Sequence, residues 1–132
     1  MFKLQTDQGE IQISDAVLSD ITGAAATSCY GVKGMAYRSM TDGLVHLLRP
    51  TAMSKGVHIT QHDEGDISIE LHIIVEPGVN MTAISREIIS QVRYLVNKNT
   101  GARIRSVDVY VDSITIEEGP QQHARYHHRS GI

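Results

Sequence analysis

Seven histidines, one cysteine and one pair of closely spaced glycines are the residues of this 132-residue chain best suited to chemistry. His58 and His62 stand four apart, a spacing that can chelate a metal on a helix, but Val57 to Asp63 alternates apolar and polar residues as a strand does. Four strand residues at about 3.3 Å each separate the two imidazoles by about 13 Å, too far to share an ion. Ile67 to Val75 alternates in the same way across Glu64-Gly65-Asp66, so the two runs read as a hairpin. A three-residue loop there pairs Val57 with Ile73 and Ile59 with Leu71, which sets His58 opposite His72, Thr60 opposite Glu70 and His62 opposite Ser68. Directly opposed residues have Cβ atoms about 5 Å apart, so His58, His72 and the diagonal Glu70 are the candidate metal ligands. An open sheet face lacks the surrounding partners that hold strong sites in shape. The expectation is therefore a solvated polar face, with no stoichiometric metal and no cofactor.

Other chemistry is thin. Cys29 is the only cysteine, which excludes an intramolecular disulfide and a Cys-based zinc site. It stands at the end of an alanine-rich segment, where a small buried hydrophobe is the plainer reading than a nucleophile. Gly31-Val32-Lys33-Gly34 fits the G-x-x-G of KH-type RNA-binding modules, in which that loop joins two helices. Here an apparent strand follows it, so a helix end turning into a strand is the simpler account. Arg86 and Arg93, followed by Lys98, Arg103 and Arg105, make a basic helix face that could meet an anion or a partner. No G-x-S-x-G, Walker loop, H-E-x-x-H or dinucleotide fingerprint occurs, and no enzyme is expected.

The elements that must carry these residues follow from periodicity. Gly9 to Ile13 alternates as a short strand, and Ser14 is placed to cap a helix over residues 15–29. Val17, Ile21, Ala24 and Ser28, flanked by Leu18 and Ala25, give that helix its spacing, and Gly31 ends it before a strand over Val32 to Arg38. Residues 39–55 are irregular, with a short helix over Leu44 to Leu48 stopped by Pro50. Asn80 caps the strongest helix, whose stripe is Met81, Ile84, Ile88, Val92 and Leu95, and Gly101 terminates it. The last strand runs from Ile104 to Ile116, and its change of phase predicts a β-bulge near Asp112-Ser113. The order β-α-β-β-β-α-β predicts an α+β domain over residues 1–118, with two helices on one face of a mainly antiparallel sheet and a flexible tail over 119–132.

Charge and composition bound the partners. Twelve Lys and Arg against 15 Asp and Glu give a net charge of -3, so no global field attracts nucleic acid. No stretch approaches 18 apolar residues, so no direct membrane insertion is expected, and a cytoplasmic location is.

The ordered motifs resemble the alkaline-shock-protein family of bacterial envelope-stress-response proteins. The resemblance rests on Gly9-Glu10-Ile11-Gln12-Ile13-Ser14 entering an alanine-rich helix, on Cys29-Tyr30-Gly31-Val32-Lys33-Gly34-Met35-Ala36, and on Ser54-Lys55-Gly56-Val57. It continues through Ile73-Ile74-Val75-Glu76-Pro77-Gly78 and Val107-Asp108-Val109-Tyr110-Val111. Asp42-Gly43-Leu44 to Leu48-Arg49 is similar to short Gram-positive members found beside a kinase-like fatty-acid phosphorylation protein. The resemblance implies a non-enzymatic regulatory or scaffolding protein of envelope and lipid homeostasis. Its partner would be a protein, fatty-acid-kinase-like or membrane-associated. Exposed sheet edges further suggest a homo-oligomer. Leu44, Leu47, Leu48 and Arg49 are the expected partner-binding residues, an apolar anchor with a charged rim. The alternative is a nucleic-acid-binding module using the Gly31–Gly34 loop and the basic helix.

The helical stripe generates a direct test. Ile88→Ala should destabilise the fold by about 2–5 kcal/mol in chemical denaturation; an effect near zero would contradict the assignment of Ile88 to the core.

Overall fold

A computed structural model describes residues 1–114 of the chain, the side chain of Thr51 aside. The elements are β1 (Phe2–Thr6), β2 (Gly9–Ile13), α1 (Asp15–Thr27), β3 (Val32–Arg38), β4 (Val45–Leu47), two 3-10 turns within Pro50–Gly56, β5 (Val57–Gln61), β6 (Ile67–Val75), α2 (Met81–Thr100) and β7 (Ile104–Ile114). The class is α+β, as expected, with two helices and a sheet that is mainly antiparallel. The expected tail over 119–132 lies outside the described residues.

β6 is the hub of the sheet. Along one edge it pairs with β7 in parallel. Along the other it pairs antiparallel with β5 over Ile67 to Leu71 and then with β3 over Ile73 to Val75. β4 joins the outer edge of β3. Parallel neighbours need a long crossover, and α2 supplies it between β6 and β7. The helices cover one face. Leu18, Ala25 and Ala26 of α1 and Ile84, Ile88, Val92 and Val96 of α2 share one buried cluster with Ile67, Ile69, Leu71, Ile73 and Val75 of β6.

Local signals account for most boundaries. The Ser14 hydroxyl accepts from the Val17 N–H at 3.2 Å and caps α1. The Asn80 side chain accepts from Ala83 N–H at 2.9 Å and caps α2. Gly101 ends α2 with φ at 77°, a left-handed angle that glycine adopts without strain. The buried face of α1 is turned slightly from the expected one: Leu18, Thr22, Ala25 and Ala26 face inward while Val17 is exposed.

Three expectations require correction. The short helix over Leu44 to Leu48 is strand β4 instead, since Ala36 and Arg38 of β3 offer an edge that pairs with Leu47 and Val45. A further strand, β1, precedes β2 and forms a separate two-stranded sheet with it, burying Phe2 in the main core. The β5–β6 hairpin is slipped by two residues from the expected register. Its partners are Val57 with Leu71, His58 with Glu70 and Thr60 with Ser68. The loop is Asp63-Glu64-Gly65 rather than Glu64-Gly65-Asp66, closed by the Gly65 N–H to His62 carbonyl bond at 2.9 Å with Gly65 at φ +89°. A slip of two keeps every side chain on its expected face, so the aliphatic and polar sides are unchanged.

Gly31 and Gly65 share a φ of +89°, but a Cβ on Gly31 would lie 2.4 Å from Ile84 Cδ1, whereas one on Gly65 would meet nothing within 4 Å. Gly65→Ala should therefore cost about 1–2 kcal/mol from backbone strain alone. Gly31→Ala should cost about 1–3 kcal/mol more, because Ile84 must also be displaced. Equal costs in equilibrium denaturation would mean that α2 does not close over Gly31.

Candidate functional site on the uncovered face of the sheet

The side chains of β6 that point away from the helices are Ser68, Glu70, His72 and Ile74, on the same face as His58 of β5 and Tyr110 of β7. β5 brings His58 directly opposite Glu70, while His72 is its diagonal neighbour, with ring centroids 5.9 Å apart. The slipped register thus exchanges the expected roles of Glu70 and His72 but leaves the three together. One ligand atom from each of His58, Glu70 and His72 lies within 4.8 Å of the others.

β7 completes the arrangement in a way the hairpin could not. Tyr110 stands beside His72 and stacks on it, with centroids 4.8 Å apart and planes 12° from parallel. Val111 pairs with Ile73 and Ser113 with Ile74, leaving Asp112 as the extra residue of a bulge. The predicted bulge therefore falls where the phase change placed it. Its effect is to present the Asp112 carboxylate, 13% exposed, to His72 Nδ1 at 3.0 Å and 3.2 Å. The other ring nitrogen, Nε2, lies 2.9 Å from Glu70 Oε2.

Each ring nitrogen of His72 thus faces a carboxylate. A neutral imidazole has a single N–H, and only the imidazolium can donate to both. Burial by itself disfavours that charge, but the hydrogen bonds to Glu70 and Asp112, with the negative charge of both, outweigh it and raise the His72 pKa above 6.5. Next along the same face, His62 Nε2 lies 2.7 Å from the Ser68 hydroxyl, which also accepts from Ser106 at 3.1 Å.

The face changes character at its far end. Ile74 is buried there with Ala36 and Val45, a second small core on the side away from the helices. Leu47 lies over Gly34, where an added Cβ would come within 2.7 Å of its Cδ1, and remains 41% exposed. The expected leucine cluster is divided by the strand geometry of β4. Leu48 packs against the main core and donates its N–H to the Met35 carbonyl at 2.8 Å, Leu44 is half-buried, and Arg49 is exposed. Tyr37 and Met40 are further exposed apolar residues of this region.

The remaining candidates are placed without convergence. Gly31 and Gly34 do not form a loop between helices: Gly34 pairs with Ile74 inside β3, and the Gly31 carbonyl accepts from Glu76 N–H. Arg93 donates to the carbonyls of Ile104 and Arg105, and Arg103 to that of Glu64. Arg105 binds the carboxylates of Asp66 and Glu64, and its hydrogen bond holds the Asp66 carboxyl below its ordinary range. These side chains tie α2, β7 and the hairpin together. Cys29 is buried, and that burial, with the charge of Glu87, pushes its thiol pKa up, away from the reactive thiolate.

Sequence reasoning missed Asp112 and Tyr110 as neighbours of His72. The bulge was legible, but the antiparallel hairpin alone did not show that β7 lies against β6.

Titration of His72 tests this geometry in metal-free protein. Its pKa, followed by NMR, should lie above 6.5 and fall in Asp112→Asn. With the folded pKa raised, the stabilisation it gives is complete below an unfolded pKa of about 6.5 and is lost as pH rises through the folded value. A His72 pKa at or below 6.5 would contradict the two-carboxylate arrangement.

The uncharacterized protein YloU of Bacillus subtilis strain 168 is 36% identical over 115 residues, covering 86% of this chain and 95% of its own length. The uncharacterized protein Spy1614 of Streptococcus pyogenes serotype M6 is 33% identical over 115 residues, covering 86% and 94%. Among solved structures, the MamM CTD in a manganese form aligns with 74% of this chain and 95% of its own at 20% identity, with a TM-score of 0.44. The profile of the alkaline shock protein 23 family, described by its cell envelope-related function, matches residues 3–116, and the chain belongs to that family.

Proposed function

We propose that this protein is a non-enzymatic regulatory or scaffolding protein of envelope and lipid homeostasis, which acts by binding a protein partner through the uncovered face of its sheet. The family's cell envelope-related function supports the setting. Among the described residues no helix is long and apolar enough to cross a membrane, which favours reaching the envelope through a partner.

The observation that carries the reading is Leu47. It is an aliphatic side chain 41% exposed on a short edge strand, beside the buried trio Ala36, Val45 and Ile74 and continuous with the polar row that runs to His72. An apolar anchor with a polar and charged surround is the usual anatomy of a binding patch. Asp42 and Arg49, the charged residues on either side of β4, are both exposed and supply the charged surround. Leu48 supports the patch from beneath by anchoring β4 to the core. A fatty-acid-kinase-like or membrane-associated protein fits this role, and a second copy of the chain at an open sheet edge fits it too.

Leu47→Asp separates binding from folding, since the side chain is already partly in water. The variant should melt within a few degrees of the parent and lose the protein that co-purifies with the parent from native cells. Retention of that partner at parental yield would place the binding surface elsewhere.

A further inference from the structure

The geometry points to a divalent metal site of zinc type, made by His58, Glu70 and His72, with Asp112 holding the His72 ring in position. Nothing in this inference depends on the partner-binding role proposed above.

Three features carry it. The ligand atoms come from two adjacent strands within 4.8 Å of one another. Zinc–nitrogen and zinc–oxygen bonds of about 2.0–2.2 Å in a tetrahedron put ligand atoms about 3.3 Å apart. His72 Nε2 and Glu70 Oε2, now 2.9 Å apart, need only separate slightly, and the exposed His58 closes the rest by side-chain rotation. The ligand set itself is two imidazoles and one carboxylate, which leaves a fourth position for water, and borderline-soft divalent ions suit such donors.

The third feature is Asp112. Histidines that bind metals characteristically hydrogen-bond through their other ring nitrogen to a carboxylate, which fixes the ring and strengthens the ligand. The bulge in β7 delivers that carboxylate to His72 Nδ1 at 3.0 Å, with Tyr110 stacked against the ring. The objection raised by the open hairpin face, that nothing would hold the ligands in shape, is met by a strand the hairpin does not contain. Charge agrees as well. Two carboxylates, Glu70 and Asp112, would balance one divalent ion beside neutral imidazoles.

The test is zinc competition against a chromophoric chelator, using the untagged full chain, with cobalt absorption as a reading of geometry. One equivalent of zinc should bind, and cobalt should give the intense visible bands of a tetrahedral site. His58→Gln and His72→Gln should each weaken binding at least 10-fold, and His58, being exposed, can be changed without disturbing the fold. Asp112→Asn should weaken it about 10–100-fold and alter the cobalt spectrum although no ligand is lost. Replacing His127 and His128, which lie outside the described residues, by Ala should leave binding unchanged. Absence of stoichiometric zinc, zinc unaffected by His58→Gln, or zinc lost with His127 and His128 would each overturn the assignment.

Discussion

The main sheet and both helices meet at β6. Its peptide groups are paired on both edges, with β7 along one and with β5 then β3 along the other. Its helix-facing side chains, Ile67, Ile69, Leu71, Ile73 and Val75, are all buried. A strand so enclosed can satisfy its backbone only through neighbouring strands, because water cannot reach it. That requirement fixes where β3, β5 and β7 must lie, and α2 follows as the crossover that lets β7 run parallel. The helices then close over the apolar side, and the polar side is left facing outward.

That outward side is not uniform. Polar groups from three strands converge around His72, and the same face turns apolar at Ile74, under β4. The transition is written in β6 itself, where alternation gives way to Ile73-Ile74-Val75, the continuous apolar run of a strand covered on both faces. β4 is the element that covers it, and it is short and lies at an edge. A polar centre at His72 and an apolar end under β4 are therefore two parts of one surface, supported by a single strand.

Much of this was legible in the residues. The caps at Ser14 and Asn80, the stop at Gly101 and the faces of both hairpin strands follow from local chemistry that the tertiary fold leaves intact. The α2 stripe holds at Ile84, Ile88 and Val92, but Met81 at its start is exposed, Leu95 is only partly buried, and Val96 completes the buried face. The bulge at Asp112 was legible as a change of phase. What local reading could not fix was distance along the chain. Loops of Asp63-Glu64-Gly65 and of Glu64-Gly65-Asp66 differ by one position yet shift the pairing by two residues, and parity does not distinguish them, since a slip of two preserves the faces. Leu44 to Leu48 is ambiguous for a different reason: a short apolar run suits a helix turn or a strand, and the edge of β3 decided. The partnership of Asp112 with His72 spans 40 residues and depends on parallel pairing, which no local pattern encodes.

The central claim is that a frame around β6 carries a binding face whose apolar end rests on a short edge strand. Native-state hydrogen exchange measures this directly. The amides of Ile69, Leu71 and Ile73 should exchange only through global unfolding, while the Leu48 amide, bonded to the Met35 carbonyl at 2.8 Å, should exchange through a local opening of clearly lower free energy. If the Leu48 amide proves as protected as those of β6, β4 is an integral part of the frame and the account of a yielding binding edge is wrong.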